Sequence, residues 1–457
     1  MNIVLISIFG YVAFLMGISL WHRKKNYRAN EDFLIADRKL SGIVASFTLI
    51  ASFIGGGTLL GNTALIFKFG YYILPLLIML PVGLLLFMFI APKINRLAKK
   101  EKWLTLYDMF ESRFGVETKN IVAIIQLINI LLITSVAMIG GAKMLELFTA
   151  YSYEMCVVLM ASIVGGYLSI SGFSSVVKTD IIQAIFLLLI FGALLVFLTV
   201  NPSPEIQNYA DYGFGKMPIY VSFLMGIIGI LVSFGMEDLY QRVYATKNVK
   251  EVKKSLWITF FMWGFCYICL AGAVFKLKVL FPELAGDMAF LEGINNLIPT
   301  TFHWLASLAI LSILLSTIDT FTFNGVLNFN KLFFAKDDKD SHKNLVRRIK
   351  RSIPIFLLIV ILISIFIKSI IFTTYIYGML MASTGLVVII SFAFPKANKW
   401  YAIIPLILNI IVGIIGVSIF GFSEKLAVIP LATIPLGCLL AYFYNFLKSN
   451  AFYKKKL

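Results

Sequence analysis

The sequence predicts an all-α integral membrane protein, and three observations carry that prediction. Of its 457 residues, 60% are hydrophobic and only 14% are charged, whereas soluble domains have roughly 45–50% apolar and about 25% charged residues. About a dozen apolar stretches reach roughly 18 residues or more, which is enough to cross a hydrocarbon core of about 30 Å as a helix. Most of the basic residues lie between these stretches. The surplus apolar surface is therefore expected to face lipid.

Turn and charge signals divide the apolar residues into about thirteen predicted membrane spans. The first span precedes its basic cluster, whereas a cleaved signal peptide has its basic residues first, so we expect a retained helix. A short surface helix is expected within 281–301 and a solvated charged loop over 335–352. The predicted spans are 2–21, 42–67, 71–92, 120–149, 153–170, 177–200, 217–236, 255–277, 302–330, 352–371, 373–394, 400–420 and 426–446.

The net charge of +17 raises the question of nucleic acid binding, and the placement of the basic residues argues against it. Alternate loops and their flanks hold 33 of the 40 Lys and Arg residues, including every Arg. This bias predicts an N-terminus outside the cell and a cytoplasmic C-terminus. We expect a multi-pass protein of the plasma membrane (the inner membrane in a Gram-negative cell), with membrane lipid and not nucleic acid as a partner.

Glycines predict an interruption in two of the spans. Gly55–Gly57 lie consecutively at the middle of the second span, and unwound backbone at membrane depth is tolerated only around a cavity or a bound ion. Close helix packing is the other common use of such glycines. The seventh span carries Gly226, Gly229 and Gly235. Interrupted helices in matching positions of two halves indicate a transporter site at the repeat interface.

Two hydroxyl residues of the ninth span, Ser316 and Thr317, fall near mid-membrane by residue count, as do Ala51 and Ile54 of the second span. Sodium is a hard cation that prefers oxygen ligands, so hydroxyls and freed carbonyls suit it. The alternative is that both hydroxyls bond to carbonyls of the preceding turn.

Carboxylates within the spans are costly, at roughly 3 kcal/mol or more near the bilayer centre, so each needs a partner or a function. Asp319 is the deepest, and Asp180 lies one turn into the sixth span, where the helix dipole also favours a carboxylate. Glu237 and Asp238 close the seventh span beside Arg242, where we expect an interfacial ion pair.

Four segments resemble signatures of the solute:sodium symporter family, whose members share a core of five plus five inverted helices like that of amino acid-polyamine-cation transporters. The segments lie in the same order as in the family and span most of the chain. They are Asn30–Leu40 in the first inner loop, Gly172–Gln183 resembling "AVxxTDxxQ", Gln241–Lys247 resembling "QRxxAxK" and Leu315–Asp319 resembling "MSTAD".

The resemblance implies a single membrane domain over 1–457 and a set of binding residues. Its parts are a leading helix and loop (1–41), a first repeat (42–200), a second repeat (215–394) and two final helices with an inner tail (395–457). A sodium ion is implied at Ala51, Ile54, Ile313, Ser316 and Thr317. Some members bind a second cation at positions matching Asp180, Asp319 and Thr320. A solute pocket is expected at Phe53, Gly55, Gly56, Gly57, Thr58, Gln126, Asn129 and Ser233.

The expected function is sodium-coupled symport of a small polar solute into the cell by alternating access, with sodium as the coupling ion and a monomer sufficing. Phe53 and Thr58 stand where sugar carriers of the family have amides, which argues against a sugar pocket of that kind. A transporter-like sensor and a proton-coupled carrier are the alternatives. A membrane enzyme is disfavoured, because only three histidines are present and the acidic cluster of Asp337, Asp338 and Asp340 lies in a charge-mixed loop.

Overall fold

The computed structural model describes residues 3–25, 30–200, 215, 217–284, 286–297, 300–334, 342–421 and 423–454. Within these residues the regular elements are helices, and strand pairing is confined to one isolated bridge between Leu40 and Thr246. The helices of the first half are α1 (Ile3–Lys25), α2 (Asn30–Ile35), α3 (Gly42–Phe53), α4 (Thr63–Phe69), α5 (Leu74–Phe87), α6 (Ala91–Lys100), α7 (Leu106–Phe114), α8 (Val116–Phe148), α9 (Tyr153–Ser171) and α10 (Phe173–Val200). Those of the second half are α11 (Ile219–Gly235), α12 (Glu237–Ala245), α13 (Val249–Leu280), α14 (Ala289–Leu297), α15 (His303–Phe334), α16 (His342–Phe366), α17 (Ile370–Ala393), α18 (Trp400–Phe420) and α19 (Lys425–Lys454).

The integral-membrane, all-helical prediction is confirmed in class but not in the number of spans. Among the described residues, 10 helical stretches are long and apolar enough to cross a membrane, or up to 11 if the bent pair α11 and α12 forms one span. Two further apolar helices, Ile6–Ile18 and Gly42–Phe53, are shorter. The second predicted span falls below membrane length as α3 because the helix is interrupted after Phe53.

The two predicted blocks of five spans pack with one another in a symmetric pattern. The first helix of each block contacts the second helix of the other, as α3 with α13 and α11 with α5. The third helices, α8 and α15, contact each other, and each fifth helix contacts the third helix of the opposite block. Because each block holds an odd number of spans, the second must begin on the opposite side of the membrane. This arrangement is the one expected of an inverted repeat.

Helix α15 lies at the centre of the bundle and brings polar groups there. It contacts α1, α3, α8, α9, α10 and α16, and residues 309–328 are all buried. Serine, threonine, aspartate and asparagine side chains occur within this buried stretch. Polar groups at such depth need partners or a cavity, so α15 is where a site would be built.

The loops at one end of the bundle are tied together by polar side chains. Asn95 of α6 donates from Nδ2 to the carbonyl oxygens of Val243, at 2.7 Å, and Thr246, at 3.0 Å. Arg38 donates from Nη2 to the Trp103 carbonyl at 2.9 Å. We call this the basic end, and it contains α2, α6, α7 and residues 242–254.

Two connections can be compared with their predictions. The short surface helix expected within 281–301 is confirmed as α14. The expected loop over 335–352 is wrong in part, because residues 342–352 form the first turns of α16. The charged residues at the start of this helix are followed without a break by its apolar residues. Residues 335–341 lie outside the described part of the chain.

The interruption of the seventh span is confirmed, but it falls after Gly235 rather than at the earlier glycines. Met236 takes an extended ψ of 108°, and α12 leaves α11 at a bend of 42°. Gly226 and Gly229 remain helical, and Cβ atoms added there would meet residues of α5. The helical chain therefore continues past the predicted end of the span, and α12 is entirely buried.

Candidate cation and solute site

The second span is interrupted at the start of its glycine run. Helix α3 ends at Phe53, and Ile54 leaves helical geometry with φ −92° and ψ 54°. The chain resumes as a π-helical turn over Gly57–Asn62 before α4 begins. Wide turns of this kind are uncommon in proteins and occur most often at functional sites.

The interrupted backbone lies directly against a hydroxyl of α15. The amide of Gly56 donates to Thr317 Oγ1 at 3.1 Å. A Cβ atom at Gly55 would lie 1.7 Å from the same oxygen, so this approach requires glycine. Two helices that are far apart in sequence therefore meet through a hydrogen bond at the interruption.

The five residues predicted to bind sodium are all buried near this contact. Ala51 and Ile54 lie on either side of Phe53, and Ile313 is one turn before Thr317 on α15. Thr317 Oγ1 also donates to the carbonyl oxygen of Ile313 at 3.5 Å, which is the bond to the preceding turn expected as the alternative for this hydroxyl. Such a set would supply backbone carbonyls and hydroxyls only, which is the donor chemistry that a hard monovalent cation takes.

Ser316 connects this region to a carboxylate. Its Oγ donates to Asp180 Oδ1 at 2.7 Å, and both side chains are fully buried. Thr48 of α3 donates to the other oxygen of the same carboxylate. Asp180 is therefore held by helices of both blocks.

Arg242 completes the neutralisation of Asp180, which the sequence did not indicate. Its guanidinium is 0% exposed and forms a salt bridge with Asp180 at 3.1 Å. Arg242 belongs to the QRxxAxK segment, which lies beyond the predicted end of the seventh span at residue 236. The Nη2 atom lies 3.0–3.1 Å from side-chain oxygens of Thr48, Ser52, Asp180 and Thr320.

The ion pair expected between Arg242 and the Glu237–Asp238 pair is therefore wrong, because α12 turns inward after Met236 and points the guanidinium at Asp180. Glu237 instead accepts a hydrogen bond from Asn328 Nδ2 at 2.8 Å. Both carboxylate oxygens of Asp238 are buried without a hydrogen-bond partner among the described residues.

The three residues expected at a second cation come together only in part. Asp180 and Thr320 share the guanidinium, whereas Asp319 accepts hydrogen bonds from Tyr167 at 2.7 Å and Thr179 at 3.5 Å. Oδ1 of Asp319 has no hydrogen-bond partner among the described residues.

A cavity adjoins the interrupted helix and includes half of the predicted pocket. Phe53, Gly55, Gly57 and Thr58 line it, together with Thr317. We call the five predicted sodium ligands the cage. Its residue Thr317 is thus shared between the cavity wall and the contact with Gly56.

The other four predicted pocket residues do not line this cavity. A Cβ atom at Gly56 would lie 2.6 Å from Ala137. Ser233 donates to the Leu80 carbonyl at 2.7 Å, and Gln126 donates to the Gly235 carbonyl at 3.4 Å. Asn129 is buried, and like the other three it is not among the residues that line the cavity.

Aromatic and amide groups that the sequence did not indicate complete the cavity wall. The rings of Phe53 and Trp263 are 4.5 Å apart, and Asn62 donates to the Tyr267 hydroxyl at 2.9 Å. Asn62 follows Thr58 by four residues, so same-face spacing was a signal for it. Among the described residues that line the cavity, none is charged.

Comparison with known proteins gives consistent matches. The model of the Sodium:solute symporter family matches residues 33–409. A sodium/pantothenate symporter of Haemophilus influenzae is 25% identical over 456 residues, which covers 92% of each chain. A sodium/pantothenate symporter of Escherichia coli is 25% identical over 193 residues, or 41% of this chain and 39% of that protein. The substrate-bound, outward-open structure of a Na+-coupled sialic acid symporter matches with a TM-score of 0.79 at 17% identity, over 96% of this chain and 97% of that one, which shows a shared fold.

Proposed function

From the premise that this chain belongs to the sodium:solute symporter family, we propose that it carries a small polar solute into the cell together with sodium by alternating access. Sodium is the coupling ion, and sodium-coupled symport is the activity of the family. The observation that best supports the finer proposal is the contact between the interrupted second span and Thr317 at the wall of an uncharged cavity.

We assign the sodium ion to the carbonyl oxygens of Ala51, Ile54 and Ile313 and the hydroxyls of Ser316 and Thr317. An ion held there would bind the interrupted helix to α15. Since Thr317 also lines the cavity, the same ion would order the solute pocket. The coupling must then be reciprocal, with solute raising the affinity for sodium by the same factor.

The solute is inferred from the chemistry of the cavity wall. Phe53 and Trp263 offer ring faces, while Asn62 and Tyr267 offer amide and hydroxyl groups. Burying an isolated charge is costly, so the wall favours a compact solute with hydroxyl or amide groups. A carboxylate would need the neighbouring sodium as its counter-charge. Pantothenate is the first solute to test, since the curated relatives are named for it.

The direction of transport follows from the placement of charge. We propose that the basic end faces the cytoplasm and that sodium enters from the opposite side. The membrane potential then contributes about 2.3 kcal/mol per sodium charge per 100 mV. One chain contains both the cage and the cavity, so a monomer in the plasma membrane suffices.

Uptake by purified protein in proteoliposomes tests the proposal, with pantothenate and uncharged hydroxyl- or amide-bearing solutes compared with and without an inward sodium gradient. Thr317→Ala removes one cage oxygen, a loss of about 1.5 kcal/mol, so the sodium concentration for half-maximal uptake should rise about tenfold. Ser307→Ala is the matched control on α15, because its hydroxyl bonds only within its own helix, to the Trp304 carbonyl at 3.0 Å.

Two results would contradict the proposal. One is uptake that is the same with and without the sodium gradient. The other is an unchanged sodium dependence in Thr317→Ala when that protein is as well folded as Ser307→Ala.

A further inference from the structure

A second cavity, which we call the apolar groove, lies between α10, α14 and α15 and has a volume of about 570 Å³. Among the described residues that line it, every side chain is that of leucine, isoleucine, phenylalanine or alanine. They come from residues 186–197 of α10, one face of α14, residues 302–313 at the start of α15, and Leu59. A polar solute or an ion would find no side-chain partner on this wall.

The groove opens towards lipid. Leu189 of α10 and Leu305 of α15 are 64% and 44% exposed, and both helices are long and apolar enough to cross a membrane. The groove residues of α10 recur every three or four positions, so one stripe of this helix forms the wall. Ala193 and Ala306 supply little side-chain volume, which leaves space between the two helices. The groove is therefore accessible from the hydrocarbon of a bilayer.

The length of the groove matches one leaflet. Residues 186–197 and 302–313 each rise by roughly 16 Å along their helices, and half of a hydrocarbon core of about 30 Å is about 15 Å. Helix α10 begins beside α2 of the basic end, and Lys331 near the end of α15 pairs with Asp108 there. The groove lies in the half of each helix that is remote from the basic end. It thus spans the leaflet on that side, which is the outer leaflet in the orientation proposed above.

Hydrocarbon is the occupant that this wall selects. A purely apolar cavity of about 150 Å³ stays dry and takes up benzene, and the groove is several times larger. An empty groove would forfeit the dispersion contacts of the side chains around it. Lipid tails are as apolar as leucine, so a tail gains by packing in the groove rather than by leaving water.

A positive charge lies at the end of the groove that is remote from the basic end. Lys276 Nζ lies 4.5 Å from the centre of the Phe197 ring, and it donates to the Phe197 carbonyl at 3.1 Å. Phe197 is the last groove residue of α10. An ammonium at this level complements the phosphate of a lipid headgroup.

We propose that the apolar groove binds one acyl chain of a phospholipid whose phosphate lies beside Lys276, and that this chain supports the sodium cage from the side facing the bilayer. The groove reaches Ile313, whose carbonyl is assigned to sodium, and Leu59, whose amide donates to the Gly55 carbonyl at 2.8 Å. A chain that fills the groove packs against both sides of the junction between the interrupted span and α15. The support of the cage rests on the proposed function, whereas the lipid site does not.

Native mass spectrometry of protein re-extracted from vesicles of equal parts phosphatidylglycerol and phosphatidylcholine tests the lipid site. Wild-type protein should retain about one phospholipid per chain, enriched in the anionic lipid. Ala193→Trp fills the groove and should retain about tenfold less. Leu195→Trp is the matched control, because Leu195 is 41% exposed on the opposite side of α10 and is not a groove residue. Lys276→Gln should remove the enrichment while a lipid is still retained.

A wild-type protein that retains no phospholipid would overturn the inference, and so would equal retention in Ala193→Trp and Leu195→Trp. Photolabelling of wild-type protein keeps the test valid if a variant fails to fold. A phosphatidylglycerol with a diazirine in its acyl chain, placed in the same vesicles, should label 186–197 and 302–313 more strongly than the exposed Ile414 of α18. Equal labelling at the three places would overturn the inference, as would lipid-free dimers in which a second copy of the chain covers the groove.

The effect on the cage is measured as the sodium concentration that half-maximally raises the melting temperature. Removing the retained lipid from wild-type protein should raise this concentration by about fivefold or more, and adding phosphatidylglycerol back should restore it. Ala193→Trp should not respond to the added lipid, whereas Leu195→Trp should respond like wild type. A sodium response that is the same with and without lipid would overturn the support of the cage. A protein that retains the lipid but shows no sodium response in either state would contradict the proposed function instead.

Discussion

At the scale of single residues, Thr317 does two things with one hydroxyl. The hydroxyl oxygen accepts a hydrogen bond from the Gly56 amide, and the side chain lines the cavity. Gly55 permits this because any side chain there would collide with the hydroxyl. If sodium and solute bind as proposed, they would influence each other over the width of one side chain, without a relay through the rest of the bundle.

Asn62 should affect solute binding without affecting sodium. Its amide lines the cavity next to the Tyr267 hydroxyl, so Asn62→Ala should raise the half-saturating solute concentration about tenfold through loss of one hydrogen bond. Sodium binding in the absence of solute should stay unchanged. Solute uptake kinetics and sodium binding, measured on the same preparation, check both statements.

Asn409→Ala is the matched control, since that buried asparagine accepts a hydrogen bond from Thr433 and is not among the cavity residues. Equal solute saturation in Asn62→Ala and Asn409→Ala would remove Asn62 from the pocket.

The sequence indicates Gly55 because consecutive glycines are unusual in a membrane helix, and it indicates Thr317 by its depth and by the resemblance to the family. It does not indicate Arg242, whose motif follows a span and looks like the start of a loop. The sequence also does not show whether Gln126 and Ser233 line a pocket or bond to a neighbouring helix. A buried amide or hydroxyl can do either, and here both donate to backbone carbonyls.

At the scale of elements, the basic end is held by an ion pair between α7 and α15. Lys331 donates to both carboxylate oxygens of Asp108, whose Oδ2 also accepts the amides of Leu104 and Thr105. Burial disfavours the charged form of Asp108. The positive charge of Lys331, its hydrogen bonds and those of the two amides have a larger effect than burial. Together they hold the pKa of Asp108 below its ordinary value.

This ion pair makes a prediction about stability and pH. A carboxyl group whose pKa is depressed by folding stabilises the protein above its unfolded pKa, near 3.9, and loses that effect as pH falls through the folded value. Asp108→Asn should therefore lower the free energy of unfolding at neutral pH by roughly 2–3 kcal/mol. The apparent melting temperature should fall accordingly. The difference from wild type should shrink below about pH 4.

Melting curves at several pH values check this prediction. Ser112→Ala is a control on the same helix, where the side chain is exposed. A difference between Asp108→Asn and wild type that stays constant into acid would show that the ion pair is not its source.

Elements were predictable where hydropathy alone defines them and less so where the chain bends. The glycine run placed the interruption of the second span correctly. In the seventh span Gly226 and Gly229 gave the same signal, but they serve close packing against α5, and the bend falls at Met236. Glycine permits both uses, and only the neighbouring helix decides between them.

At the scale of the whole molecule, the two blocks meet along α8 and α15, and the groups that matter are contributed by both. The cage joins the second and ninth spans, and Arg242 ties α12 to α3, α10 and α15. A movement of one block against the other would therefore change the cage and the adjoining cavity together. This is the physical requirement for alternating access with coupled ion and solute.

The fold class follows from the sequence because membrane thickness and charge bias constrain it strongly. The two five-helix blocks are implied by the resemblance to the family. The number of spans does not follow as reliably. The apolar part of α1 is short, the second and third predicted spans yield one long stretch over Gly57–Phe87, and α11 passes only together with α12.

The most direct test of the central claim is the melting temperature of purified protein at increasing sodium concentration. Potassium is lowered in step, so that the ionic strength stays constant. A ligand that binds only the folded state stabilises it by about 2.7 kcal/mol at a hundredfold excess over its Kd. We expect sodium to raise the melting temperature of wild type and of Ser307→Ala, and the titration of Thr317→Ala to shift to about tenfold higher sodium. Equal sodium dependence in Thr317→Ala and wild type would contradict a sodium site between the interrupted second span and α15.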